Sequence, residues 1–222
     1  LLTTFNNLSL INSEYLKLKI NQIKVSGLNV ENNLKISEDF NKSLYQKNIF
    51  LISKDNFVSI LEKNNLIHSF KIKKIYPNSI EVQIRKADLL AITNFNEKKF
   101  FIGSNGKLID YDSSNTNLPY VFGKVKTVDF INFVKIIEQS KFNFKEISEM
   151  YFYPSGRWDI KNKHGTLFKL PKKNLIKSLN IAYRIIDNEK LKNSKIIDLR
   201  ISNHIVSTDE WKKFWYIFKF KF

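Results

Sequence analysis

The chain has 222 residues and no cysteine, which excludes a disulfide framework, thiolate catalysis and cysteine-ligated zinc or iron–sulfur centres. A hydrophobic share of 43% beside 26% charged residues excludes a disordered chain. The formal charge of +16 rests on 37 Lys and Arg, of which only four are Arg, so it is read as Lys spread over solvated surface rather than a phosphate-reading site.

Leu1 opens the sequence and Met150 is its one methionine, so a fragment or processed product is expected. Residues 1–20 are Asn-, Ser- and Thr-rich and are taken as a membrane-proximal segment, with no run of 18 apolar residues to span a bilayer. Leu16, Leu18 and Ile20 alternate with Lys17 and Lys19, then Ile23 and Val25 continue on the other parity. That pattern predicts a strand over 16–25 broken near Asn21 and Gln22. Phe40, Leu44 and Tyr45 mark a short helical face. Ser53 is expected to cap a second helix carrying Phe57, Ile60 and Leu61. Strands are predicted over 67–75 and 79–92, joined by a turn at Tyr76-Pro-Asn-Ser79. Residues 21–92 thus read as one β-α-α-β-β unit.

Residues 93–206 are hairpin-rich. Strands over 99–102 and 107–111 flank a Gly103-Ser-Asn-Gly106 turn, and Phe130, Phe133, Val134 and Ile137 space an amphipathic helix. Strands follow over 150–153, 157–161 and 166–170, then Pro171 opens a helix with Leu175, Leu179, Ala182 and Ile186 on one face. A last strand over 195–201 puts Ile197, Leu199 and Ile201 on one side and Arg200 on the other. The tail, 207–222, packs seven aromatics into its last twelve residues. Trp211, Phe214, Trp215 and Phe218 fit a helix, Phe218, Phe220 and Phe222 a strand. A membrane–water interface, a last strand and a non-native extension all suit it.

Chemistry-bearing patterns are scarce. His68, His164 and His204 belong to no metal-ligand spacing, and no G-x-G-x-x-G, P-loop or G-x-S-x-G occurs. Asp110 and Asp112 end a strand beside a polar loop, where carboxylates usually cap turns. No cofactor and no metal are expected, and the chain reads as a non-enzymatic binding protein.

The order of segments resembles the extracytoplasmic part of the FtsQ/DivIB family of bacterial cell-division proteins. Ile23-Lys-Val-Ser-Gly27 and Ile75-Tyr-Pro-Asn-Ser-Ile-Glu-Val-Gln-Ile84 are similar to the opening strand and closing hairpin of its POTRA domain. Arg85-Lys-Ala-Asp-Leu-Leu-Ala91 stands where the family has an acidic-basic-Pro-Ala run. Phe101-Ile-Gly-Ser-Asn-Gly-Lys107, Leu118-Pro-Tyr-Val-Phe-Gly123, Gly156-Arg-Trp158, Gly165-Thr-Leu-Phe-Lys-Leu170 and Ile197-Asp-Leu-Arg200 match later landmarks in order. Ala87, Asp88 and Ile201 depart from the family's usual Glu, Pro and aromatic, and the tail has no family counterpart.

The resemblance implies an α+β chain: a small POTRA-like domain over 21–92, then a mixed, mostly antiparallel sheet domain with two helices over 93–206. It implies an inner-membrane divisome scaffold, single-pass, with this region in the periplasm. The scaffold would link early and late division components, hold FtsB in complex with FtsL through the last strand, and meet other division proteins through the POTRA-like domain. Strand 195–201 is expected at a sheet edge, offering unpaired backbone groups to an added strand. Arg200 would meet a partner carboxylate, with Ile197, Leu199, Ile201 and Asn203 around it. Trp158 is either a core anchor or a contact. Two other readings stay open: a POTRA-bearing component of outer-membrane assembly or secretion, and a basic binder of anionic lipid or nucleic acid.

Overall fold

The computed structural model describes residues 18–112, 117–186, 194–201, 204–209 and 212–219, with the backbone alone for 209 and 212–219. Most of the 1–20 segment, the loop at 113–116, Asn203 and Trp211 lie outside the described residues, as do the aromatic side chains of the tail. Two compact units meet in the chain between Asp88 and Leu89.

The first unit runs β1 (Gln22–Ser26), α1 (Val30–Leu44), α2 (Asp55–Leu61), β2 (Ile67–Ile75) and β3 (Ser79–Lys86). Its sheet has the order β1-β3-β2, with β1 parallel and β2 antiparallel to β3. Alternation in β3 turns Ile80, Val82 and Ile84 toward the helices, where they meet Ile36, Phe40, Leu44, Phe57 and Leu61 in one core. Phe40 and Phe57 pack edge-to-face at 5.1 Å. Gly27 ends β1 at φ +110°, and a Cβ there would fall 1.8 Å from the carbonyl oxygen of Ile84, so only glycine fits.

Three local expectations change in this unit. The expected break before β1 is a change of partner: Lys19 bridges to Asn48, and pairing with β3 starts at Gln22. Ser53 does not cap α2. Asn56 reaches back instead, its Oδ1 accepting from the backbone N–H of Ser53 at 2.9 Å and from the Ser53 hydroxyl at 3.2 Å. Tyr45 leaves the helical face and ends α1 exposed, while Ile36 takes its place beside Phe40 and Leu44.

The second unit holds ten strands. They are β4 (Leu89–Phe95), β5 (Lys98–Gly103), β6 (Leu108–Asp110), β7 (Tyr120–Phe122), β8 (Ile147–Phe152), β9 (Trp158–Asn162), β10 (Leu167–Lys169), β11 (Ile196–Asp198), β12 (His204–Asp209) and β13 (Lys212–Lys219). Two helices join them, α3 (Thr127–Glu138) and α4 (Leu175–Ile186). The sheet is mixed, mostly antiparallel, in the order β13-β12-β11-β10-β9-β8-β7-β4-β5-β6. Parallel pairs join β4 to β7, β7 to β8, and β10 to β11, the last across α4. Phe130, Phe133, Val134 and Ile137 of α3 and Leu179, Ala182 and Ile185 of α4 bury one face of this sheet.

The strand expected to run unbroken over 79–92 is two strands in two sheets. Ile80, Val82 and Ile84 keep one parity, buried Ala87 breaks it, and β4 buries the consecutive Ala91, Ile92 and Thr93. The expected edge strand is also corrected. β11 is interior, paired in parallel with β10 and antiparallel with β12, because the chain past residue 203 returns to the sheet as β12 and β13. Residues of the tail therefore extend the sheet, on the strand rather than the helical reading.

Candidate partner-docking site

Strand alternation gives the ten-stranded sheet two unlike faces. Toward the helices, Val121, Met150, Ile160, Phe168 and Ile197 form a cross-strand row, every one buried. On the opposite face, which neither helix of this unit covers, the row one residue along is Phe122, Tyr151, Asp159, Lys169, Asp198 and Val206. Next to it run Tyr120, Glu149, Lys161, Leu167 and Ile196.

Arg200 belongs to this open face. Asp198 holds it: Oδ1 accepts from the Arg200 backbone N–H at 3.0 Å and from Nε at 2.8 Å, and Oδ2 accepts from Nε at 3.0 Å. The Arg200 side chain is 41% exposed, so one edge of its guanidinium is fixed and the rest faces water. Burial pulls the Asp198 carboxyl upward, but the hydrogen bonds and charge of Arg200 outweigh it and the group ends below its ordinary value. The hydrogen bond from Arg200 to Asp198 raises the arginine, with Asp159 and Tyr153 adding in the same direction.

Asp159, fully buried, is the second anchor. Arg157 Nε lies 3.2 Å from its Oδ1, Arg157 Nη2 donates to Oδ2 at 3.3 Å, and the backbone N–H of Leu170 donates to Oδ1 at 3.2 Å. The Arg157 guanidinium lies 4.3 Å from the centre of the Tyr153 ring. Burial, then the charge of Asp159, pushes the Tyr153 phenol up. Further along, the Tyr151 hydroxyl donates to Glu149, and Lys161 Nζ lies 3.0 Å from Glu149 Oε1. Glu149 is lowered by the Tyr151 bond first, with burial opposing. Tyr151 is pushed up to about 12 by burial and by Glu149. Tyr120 packs tilted on Phe122 at 4.6 Å, and Phe122 stacks on Tyr151 at 5.0 Å.

The structure divides the six residues singled out from sequence. Ile197 and Leu199 are buried among the core residues. Trp158 is core as well, stacked on Phe133 at 4.5 Å and 5° and touching Phe152 at 4.8 Å. Arg200 and Ile201 are at the surface, Ile201 with 58% of its area exposed. Asn203 lies outside the described residues. Sequence reasoning passed over Arg157, Asp159, Glu149, Tyr151 and Phe122. The usable signal was parity: each alternates with a buried apolar residue, as Arg200 does with Leu199. Such a face, with compensated charges, stacked rings and one half-exposed guanidinium, suits recognition of a peptide bearing carboxylates.

Comparison with known proteins gives the class first. The family model described as "POTRA domain, FtsQ-type" matches residues 18–86, and that described as "Cell division protein FtsQ/DivIB, C-terminal" matches residues 91–200. Together they define a cell-division protein built of a POTRA unit followed by a β domain.

The chain belongs to the FtsQ/DivIB family. It is 33% identical over 90 residues to cell division protein DivIB of Staphylococcus aureus, an alignment covering 39% of this chain and 20% of the relative. Cell division protein FtsQ of Rickettsia conorii is 24% identical over 162 residues, covering 70% and 59%. FtsQ of Rhizobium radiobacter is 23% identical over 141 residues, covering 62% and 67%. The chain thus spans one fifth of the staphylococcal protein it matches. A solved structure of the major extracytoplasmic domain of DivIB from Geobacillus stearothermophilus aligns with 46% of this chain and 92% of its own, at 13% identity and TM-score 0.35, a score that adds nothing to the fold.

FtsQ/DivIB proteins are membrane-anchored division scaffolds with an extracytoplasmic domain, not known enzymes. Among the described residues, no helix is long and apolar enough to cross a membrane.

Proposed function

We propose that this chain is the periplasmic part of an inner-membrane divisome scaffold that holds FtsB, in complex with FtsL, at its second unit. The first unit, up to Asp88, acts as the membrane-proximal module, and 89–206 with the terminal strands as the partner-binding one. The observation that carries this reading is the end of the ten-stranded sheet. The outer side of β13 has no neighbouring strand among the described residues, so its backbone groups are open to an added strand.

Neighbouring strands lie about 4.8 Å apart, which puts a strand added to β13 roughly 14 Å from β11. Arg200 therefore meets a different part of the partner: an acidic flank that crosses the open face beside Asp198 and Ile201. Asn203 would flank that contact. Ile197, Leu199 and Trp158 support it from the core side, fixing where Asp198 and Arg200 stand.

The test is titration calorimetry with a soluble FtsB–FtsL segment against the wild-type chain, Arg200→Glu, and the chain lacking 212–222. Reversing the charge should weaken binding about tenfold or more, and removing β13 should abolish it. Unchanged affinity in both variants would overturn the reading.

A further inference from the structure

Apolar side chains crowd one end of the first unit on its solvent side. Among the described residues seven large apolar side chains of this unit are exposed, and five of them stand there: Tyr45, Phe50, Leu51, Ile75 and Tyr76. They come from the segment between α1 and α2 and from the turn joining β2 to β3. Phe50 and Tyr76 stack across the gap with their ring centres 5.1 Å apart. Backbone bonds tie both segments to one place: Gln46 N–H donates to the carbonyl of Ile20, and Asn21 N–H to that of Asn78, each at 2.9 Å.

The described chain also enters the unit here. Ile49 N–H donates to the Leu18 carbonyl at 2.9 Å, and Lys19 bridges to Asn48. Leu18 thus joins the fold beside the exposed rings rather than at the far end of α1. Charge at this end has one sign, since residues 18–22, 42–51 and 73–79 contain Lys19, Lys42, Lys47, Lys73 and Lys74 and no Asp or Glu. Exposed rings, an exposed leucine and lysines without carboxylates therefore coincide at the point of entry.

We propose that this end of the first unit seats on the surface of an anionic lipid bilayer. Phe50, Leu51 and Tyr76 enter at headgroup depth, and Lys19, Lys47 and Lys74 meet lipid phosphates. Rings and aliphatic side chains set among lysines are what a membrane–water interface favours, and members of this family are membrane-anchored. The inference rests on the reading of this unit as the membrane-proximal module and is independent of how the second unit holds its partner.

The chain has no cysteine, so Leu51→Cys carries a single environment-sensitive nitrobenzoxadiazole label at a side chain 79% exposed. The full chain is titrated with vesicles of equal parts phosphatidylglycerol and phosphatidylethanolamine, in about 0.1 M salt to screen diffuse charge. The label's emission should brighten and shift to the blue. The same label on Val30→Cys, 75% exposed at the start of α1, should not respond. Phe50→Ser/Tyr76→Ser, which keeps every charge, and Lys47→Glu/Lys74→Glu should each raise the lipid needed for half the shift about tenfold. Lys172→Glu/Lys177→Glu in the second unit, and deletion of 212–222, should leave it unchanged. An equal response at Val30, or an unchanged titration of Phe50→Ser/Tyr76→Ser, would reduce the effect to diffuse lysine charge and overturn the site. A blue shift that grows with protein concentration in the absence of lipid would make the patch a contact between copies and overturn it as well, as would no shift on vesicles. Phe50→Ser/Tyr76→Ser should still bind the FtsB–FtsL segment as wild type does, which separates failure here from failure of the docking reading.

Discussion

The two faces of the ten-stranded sheet are made by the same strands, residue alternating with residue, yet they follow different rules. On the helix side, Trp158, Ile160, Phe168 and Ile197 are held by shape alone, and their neighbours accept any fit that leaves no void. On the open side, Asp159 and Asp198 each need a particular cation at a particular distance. The contrast teaches that stability and recognition are separated here by one residue of register. A substitution therefore declares its role by the face it occupies.

The largest break in that contrast is expected from Trp158→Ala. Removing a ring that stacks on Phe133 and touches Phe152 should cost about 3–5 kcal/mol, read as a lower urea midpoint for the second unit. Asp159→Ala should come next, at about 2 kcal/mol, because it strands Arg157 and the Leu170 N–H although Asp159 is on the open side. A loss as large as that of Trp158→Ala would mean the open face is also structural. The smallest effect is expected from Asp198→Asn, and it depends on pH. Folding holds the Asp198 carboxyl below its ordinary 3.8, so its pairing with Arg200 stabilises the fold above that value and is lost as pH falls through the lowered one. The variant should be less stable than wild type at pH 7, with the gap closing as pH drops below about 4. A gap that stayed constant would remove the charge from the explanation.

Much of this was readable before any coordinates. Alternation of Ile80, Val82 and Ile84 named the core face of β3, and the spacing of Phe130, Phe133, Val134 and Ile137 named that of α3, because burial imposes a period. The side of the sheet taken by Arg200 followed from the same period. Neighbour relations did not, since a period says which way a side chain points and nothing about which strand lies alongside. β11, with only three residues, looked terminal because β12 and β13 follow it after a polar stretch and the aromatic run there fitted helix and strand alike. Asp159 stayed hidden for another reason. A lone carboxylate between Trp158 and Ile160 reads as a solvated residue until the tertiary fold brings Arg157 and Leu170 to it.

The sheet also has a seam. β4, β5 and β6 form one sequential block and β8 to β13 another, and β7, three residues long and parallel to both neighbours, is the strand that stitches them. Gly123 closes that strand at φ +98°, where a Cβ would sit 2.2 Å from the Phe152 carbonyl oxygen, so the stitch is drawn tight against β8. Under mechanical load along the chain the first block keeps its antiparallel ladder and the second its mostly antiparallel one, and the few slanted bonds of Tyr120–Phe122 carry the tension between them. For a member of a cell-division family, that makes β7 the place where pulling on the molecule would first be felt.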